Sequence, residues 1–205
     1  MFLRRTLLAL GLLSGLALCT AFARPASALA ANSATTIADT FAIDGVHSAV
    51  IFRAKHMGTS YAFGRFNDIS GSITLDKAKP ENSKVKIEIK VESLDTANGK
   101  RDATLRGPDF FDAKQFPTAT FTSKSVKASG DKKFAVTGDL EIHGATKPVT
   151  IDMEQVGTGK GMRGEELVGF FGTLTIKRSD FGMKAMTDML SDDVALTLSV
   201  EAGKQ

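Results

Sequence analysis

The chain carries no tryptophan, one tyrosine, one cysteine, three histidines and five prolines in 205 residues. Its cysteine, Cys19, lies in an N-terminal stretch that reads as removable, so the folded part holds no thiol. That excludes a disulfide scaffold, a cysteine-ligated metal and thiol chemistry, and leaves the apolar core to hold the fold together. The histidines form no metal pattern. His47 and His56 stand nine residues apart, about 30 Å along an extended strand. None of the three has a second His, Cys, Asp or Glu at ligand spacing, and no metal is expected. His143 falls in a hairpin turn, where capping the turn is the expected role. There is no G-x-S-x-G elbow, and Ser48 beside His47 is adjacency in sequence rather than a catalytic geometry. Phosphate loops, dinucleotide fingerprints and paired catalytic carboxylates are also missing, so no catalytic residue is expected.

Charge of one sign is lacking too. The 26 basic and 23 acidic residues give a formal +3. Arg4, Arg5 and Arg24 all lie within residues 1–30, which hold no acid, so removing those three from 26 leaves 23 of each sign. No basic cluster with interleaved aromatics remains, and nucleic acid is not an expected partner. Residues 1–30 have the layout of a secretory signal peptide. Arg4 and Arg5 precede an apolar run from Leu7 to about Leu18, and Ala28-Leu29-Ala30 supplies the small-residue cleavage site. Ala21-Phe22-Ala23 is a poorer site, being followed by Arg24-Pro25. An uncleaved anchor is the alternative, since Thr6 to Ala23 nearly spans a bilayer. A lipoprotein signal at Cys19 is discounted because Leu18 stands where a small residue should be. Residues 31–39 then read as a flexible leader, followed by one domain over 40–203 that has no stable membrane span once the signal is cleaved.

What the chain does have is alternation. From Lys84 to Glu92, Val85, Ile87, Ile89 and Val91 share one face, while lysines and glutamates share the other. Similar rows occupy 48–56, 118–126, 133–142, 147–155, 167–176 and 193–201. Period two is what a strand needs when one side of its sheet is buried. Many such strands in one chain predict an all-β sandwich or closed barrel, and closure removes exposed edges. His143-Gly144-Ala145-Thr146 reads as a hairpin, and Gly157 to Gly161 as a loose connection. The alternation stops between Asp95 and Phe116. There Thr96–Arg106 reads as a short helix, with Gly107 at its left-handed C-terminal position and Pro108 opening the next turn. Phe110 and Phe111 make this segment a cover for one barrel end.

Fourteen phenylalanines dominate the aromatic content. Phe52, Phe121, Phe134 and Phe170 fall on the apolar faces of their rows. Such rings are ordinary core, but a set of them without polar handles also suits a long hydrocarbon guest. Asp44, Arg101, Asp102, Arg178 and Asp180 flank apolar segments and read as solvated or ion-paired ends, or as groups ringing a pocket mouth.

Several words of the sequence resemble the YceI-like family. They are Ile43-Asp44-Gly45-Val46-His47-Ser48 with Phe52, His56-Met57-Gly58 and Gly64-Arg65-Phe66, then Lys100 to Arg106 with Pro108-Asp109-Phe110-Phe111-Asp112. Gly138 to Val149, Lys177 to Met183 and Asp192-Asp193-Val194 complete the set. The match covers about residues 41–202. Thr104 stands where the family often has histidine, and Leu190-Ser191-Asp192-Asp193 replaces a more usual glycine-containing turn.

The resemblance implies an extended antiparallel, lipocalin-like barrel of about eight strands with one short helical segment near 96–111. It also implies a periplasmic location and an apolar tunnel for polyisoprenoids or other long amphiphiles, the bound lipid being a ligand and no cofactor being required. Phe52, Phe63, Phe66, Phe121, Phe170 and Phe181, with Ile87 and Ile89, are the expected wall of that tunnel, and Phe110 and Phe111 its cover. His47, His56, Arg101, Asp102 and Asp180 are the polar candidates at its mouth. The expected function is a carrier for a polyisoprenoid, an isoprenoid quinone or a fatty-acid-like amphiphile, with a homodimer left open. The alternatives are an enzyme using His47 or His56 as base on a bound lipid or quinone, and a module whose barrel is simply full. Intact-mass measurement on protein recovered from the periplasm is expected to show a chain beginning after Ala30. A mass that still includes Cys19 contradicts the signal-peptide reading.

Overall fold

Ile87 is 4% exposed, while Lys84, Lys86 and Lys90 on the same strand, β5 (Lys84–Lys90), point to solvent. The computed structural model that shows this describes residues 38–205. The expected signal peptide, residues 1–30, and residues 31–37 of the expected leader lie outside the described residues. Asp39, taken as leader, already belongs to the first strand.

Eight strands close a ring through antiparallel ladders: β1 (Asp39–Ile43), β4 (Ile69–Leu75), β5, β7 (Thr118–Gly130), β8 (Lys133–Ile142), β9 (Ala145–Lys160), β10 (Glu166–Lys177) and β11 (Leu190–Lys204). The last closes on the first, with Phe41 opposite Lys204 and Ile43 opposite Ala202. β11 is 15 residues long and serves two partners on that edge. Its stretch from Leu190 to Ser199 pairs instead with β2 (Ala49–His56). β2 in turn carries β3 (Ser60–Phe66) and the two-residue β6 (Leu94–Asp95). The fold is the expected all-β antiparallel barrel with one helix.

The changeover on β11 is stitched at Glu201. Its carbonyl accepts the Asp44 N–H at 2.9 Å and the Ser48 hydroxyl at 3.3 Å, and its own N–H donates to Ser48 Oγ at 3.1 Å. Ser48 is 3% exposed and is satisfied entirely in this way. A Cβ on Gly45 would lie 2.6 Å from the Ile69 carbonyl oxygen, so the strand crossing needs a residue without a side chain.

The alternating rows correspond to β2, β5 and β7 to β11. Of the other strands β1 and β6 are short, and β3 and β4, as long as β5, are interrupted by Gly64 and Gly71. Gly64 faces inward beneath the Phe52 ring, whose atoms occupy the place a Cβ would take. The hairpin at His143-Gly144 is a two-residue turn with positive φ at both positions, 52° and 73°, which matches the right-handed twist of its strands. His143 is not a cap within that turn. Its Nδ1 lies 3.0 Å from the Phe181 carbonyl, tying the hairpin to the segment after β10. Gly157 and Gly159 do not form a loose connection either. They continue β9, and the ladder absorbs them through a register shift at Gly169/Phe170.

The helix, α1 (Gly99–Arg106), is shorter than expected because Asn98 caps it by accepting the Arg101 N–H at 3.0 Å. Gly107 is not left-handed: φ −75° and ψ 173° place it in extended backbone. The helix stops by a turn instead, with Pro108 second in it and Phe110 N–H donating to the Gly107 carbonyl. Asp102 is buried under this segment and accepts the Thr96 N–H at 2.8 Å and the Thr96 hydroxyl. Those bonds hold its carboxyl below the usual range.

Arg178 is neither solvated nor ion-paired at a strand end. It is 5% exposed and spends its guanidinium on four backbone carbonyls: Nε on Ser191 at 3.0 Å, Nη1 on Met183 and Ala185 at 2.8 and 2.7 Å, and Nη2 on Leu190 at 3.2 Å. A weakly hydrated planar cation with five donors can do this where an ammonium cannot. The residue pins the loop between β10 and β11. Arg178→Met is therefore expected to cost about 3 kcal/mol or more in urea denaturation, because several buried carbonyls lose a charged donor. Arg178→Lys should recover little of it; full recovery would show that charge alone, rather than the fork, holds the loop.

Candidate functional site

Inward-facing side chains of the strands leave a cavity of about 130 Å³ whose walls are almost wholly apolar. β2 contributes Phe52 and Ala54, β3 Phe66, β5 Ile87 and Ile89, and β7 Phe121, while Leu105, Phe110 and Phe111 close it from the segment around α1. Phe66 links wall and cover. Its ring lies 5.8 Å from Phe52 and packs edge-on to Phe111 at 5.6 Å and 87°. Thr120 and Arg178 also border the cavity, and the Arg178 donors are directed at carbonyls of the loop. A second apolar cavity of about 40 Å³ lies beyond Ile87, among Val85, Phe134, Met153 and Phe170. On the other side, a basin of about 460 Å³ opens between the β2–β3 hairpin, α1 and the 184–190 loop. Leu105, Phe110 and Leu190 border both this basin and the inner cavity, and so form the partition between them.

Of the residues expected to form the tunnel wall and its cover, Phe52, Phe66, Ile87, Ile89, Phe110, Phe111 and Phe121 line the inner cavity. Phe170 lines the smaller second cavity instead. Two expectations are overturned. Phe63 is 55% exposed on the outer face, because Ala62, Gly64 and Phe66 take the inner face of β3 and alternation leaves Phe63 outside. Phe181 is 1% exposed and packs with Val91, Ala113 and Met183, reaching none of the cavities.

The polar candidates scatter. His56 and Arg101 border the outer basin. Arg101 is oriented by Thr96, donating Nε to its hydroxyl at 2.8 Å and Nη2 to its carbonyl at 2.7 Å. Asp102 supports the same Thr96 from beneath and is a positioning group, not a mouth residue. Asp180 is exposed on the 3-10 turn Arg178–Phe181 and lines none of the cavities. His47 stands before the first residue of β2, at the end of that strand away from His56. There its Nδ1 lies 2.9 Å from Asp44 Oδ2 and 3.8 Å from Glu201 Oε1. The Asp44 hydrogen bond raises the His47 pKa and lowers that of the carboxyl. These three side chains bring ligand-type atoms within 4.8 Å of one another, a juxtaposition that spacing missed because Glu201 comes from the far end of the chain. Sequence reasoning also missed the partition residues Leu105 and Leu190, and the methionines beside them. Met183, Met186 and Met189, spaced three apart, were the available signal.

The comparisons agree with this architecture. The family model described as the YceI-like domain matches residues 41–202. A UPF0312 protein of Pseudomonas aeruginosa is 44% identical over 162 residues, covering 79% of this chain and 84% of its own. One from Photorhabdus laumondii is 40% identical over 182 residues, covering 88% and 94%. Among solved structures, BcnA of Burkholderia cenocepacia superposes with a TM-score of 0.72 at 29% identity, over 78% of this chain and 99% of its own. The Campylobacter jejuni YCEI protein gives 0.65 at 39% identity, over 74% and 90%. A polyisoprenoid binding domain from Saccharophagus degradans shares the fold, with a TM-score of 0.60 at 17% identity over 80% and 98%. The chain belongs to the YceI-like family.

Proposed function

We propose that this protein is a periplasmic carrier that sequesters a long apolar molecule, such as a polyisoprenoid, an isoprenoid quinone or a fatty-acid-like amphiphile, inside its barrel. The observation that carries the reading is the cavity behind Leu105, Phe110 and Leu190, almost wholly apolar and separated only by those residues from an open basin. At about 130 Å³ it is close to the size of dry apolar cavities that admit one benzene-sized group, and below the roughly 300–1,000 Å³ of whole-ligand pockets. The end of a hydrocarbon chain therefore fits inside, with the remainder in the basin, once the three partition residues move apart to let it pass. The Saccharophagus degradans domain that shares the fold is a polyisoprenoid binding domain, which supports this class of cargo.

The binding force is burial. At about 25 cal/mol per Å², a chain burying roughly 400 Å² gains on the order of 10 kcal/mol. Association and ordering costs remove about half or more of that, leaving affinity around the micromolar range. His47 stands away from the cavity and His56 only at the basin, so neither supports the reading of an enzyme, and in this account the protein holds its cargo without transforming it. The N-terminal signal pattern supports the periplasmic assignment. Among the described residues no helix is long and apolar enough to cross a membrane.

Titration of delipidated protein with a conjugated-polyene fatty acid, followed by its fluorescence, tests the reading. Wild type should bind saturably, and Ala54→Phe, which fills the cavity from β2, should weaken binding at least about tenfold at a modest stability cost of roughly 1–3 kcal/mol. Phe121→Ala should cost clearly less than the about 3–5 kcal/mol of a tight core, since the ring already borders a void. Undiminished binding by Ala54→Phe would place the probe elsewhere and contradict the cavity as the site.

A further inference from the structure

Around the outer basin, four large apolar side chains face solvent: Met57 at 59% exposure, Tyr61 at 52%, Met186 at 51% and Met189 at 41%. Tyr61, Met186 and Met189 border the basin itself. Met57 tips the β2–β3 hairpin, and its N–H donates to the Met189 carbonyl at 2.7 Å, so the hairpin and the 184–190 loop form one continuous lip. Both tip methionines have left-handed backbone, φ 49° at Met57 and 54° at Met186. Glycine or asparagine would take these positions at lower cost. A strained backbone that presents a solvent-facing apolar side chain gains nothing for folding at either site, which points to a use for the side chain.

The lip is also cationic. Lys100 and Arg101 on α1 border the basin, and Lys184 lies on the same loop as Met186. All three are exposed, and among the described residues none has a carboxylate within ion-pair distance. Elsewhere on the barrel Lys77 is paired with Glu166 and Lys124 with Asp139. The acids on and beside the lip segments are the buried Asp102 and the exposed Asp109 and Asp188, so the exposed acids are fewer than the exposed cations.

We propose that this lip seats the barrel on an anionic lipid bilayer, with Met57, Met186 and Met189 dipping among the acyl chains while Lys100, Arg101 and Lys184 meet lipid phosphates. The inference rests on the carrier reading above and adds the route. Cargo passes from the bilayer into the basin and past Leu105, Phe110 and Leu190 without crossing water. Long methionine stems suit this use because they adapt to an irregular apolar surface. Interfacial binding of this kind combines apolar insertion with attraction to anionic headgroups, so both contributions are separately removable.

The test is flotation of delipidated protein with phosphatidylethanolamine–phosphatidylglycerol vesicles, against phosphatidylcholine vesicles alone. Wild type should float with the anionic vesicles, less so in high salt, and only weakly with phosphatidylcholine. Met57→Asn with Met186→Asn should lower flotation about tenfold or more. Its melting temperature should hold or rise, because asparagine tolerates left-handed backbone. Lys100→Glu with Lys184→Glu should abolish the preference for anionic vesicles. The single variants Met57→Asn and Lys184→Glu, at residues that do not border the basin, should each lower flotation with anionic vesicles below that of wild type while aqueous titration with the polyene fatty acid stays unchanged, which separates docking from cargo binding. Wild type that binds the polyene but never floats would overturn the docking while sparing the carrier reading. A wild-type dimer in light scattering that the asparagine pair converts to monomer, without flotation, would overturn it in favour of a contact between copies of this chain.

Discussion

Closure of the backbone ladder through β11 is the constraint on which the rest of this molecule depends. One edge of β11 pairs with β10 along nearly its whole length, while the other is shared between β2 and β1. Every strand change leaves backbone donors and acceptors to satisfy, and unsatisfied ones inside a protein are costly. Here Asp44, Ser48 and Glu201 satisfy them among themselves. The Asp44-Gly45-Val46-His47-Ser48 segment is thus a closure device. Its histidine belongs to that junction, with a pKa raised by Asp44, and has no part in the cavity. As His47 loses its proton on raising the pH through that elevated pKa, the ion pair with Asp44 is lost, and whatever stability it adds is present only on the acid side.

Because β2 and β3 branch from the ring instead of completing it, the wall between β3 and β5 is made by side chains and by the 91–117 segment. Asp102 and Arg101 converge on Thr96 to shape the start of that segment, and Phe110 and Phe111 pack down from its end. On the facing side Arg178 draws four carbonyls of the 183–191 loop toward one guanidinium. Two polar clamps therefore frame an apolar opening. The barrel core is fixed by ladders that run its length, whereas the cover is fixed by a few side-chain bonds, so the cover is where the structure can yield to a guest.

Much of this was legible in the sequence because a long strand with one wet face writes a period of two, and seven strands are long enough to do so. β1 and β6 are short, and in β3 and β4, each as long as β5, glycine breaks the apolar count at the places where a ring or a neighbouring backbone approaches. The parity rule that placed Phe66 inside also places Phe63 outside, so that error was avoidable from the sequence. The fate of Phe181 was not, since a 3-10 turn after β10 rather than a strand sets its direction. Arg178 was misread for a different reason. Its partners are carbonyls, which every residue has, and no residue pattern announces them. Leu105 and Leu190 became a partition only once the fold had brought together positions 85 residues apart.

The central claim is that the apolar interior exists to hold a guest. Organic-solvent extraction of protein purified from the producing cells without detergent, followed by mass spectrometry of the extract, tests it most directly. The account predicts a stoichiometric long-chain lipid or isoprenoid leaving with the protein, unaltered by prolonged incubation. Folded protein that releases no lipid, and takes up none when incubated with a lipid extract, would contradict it.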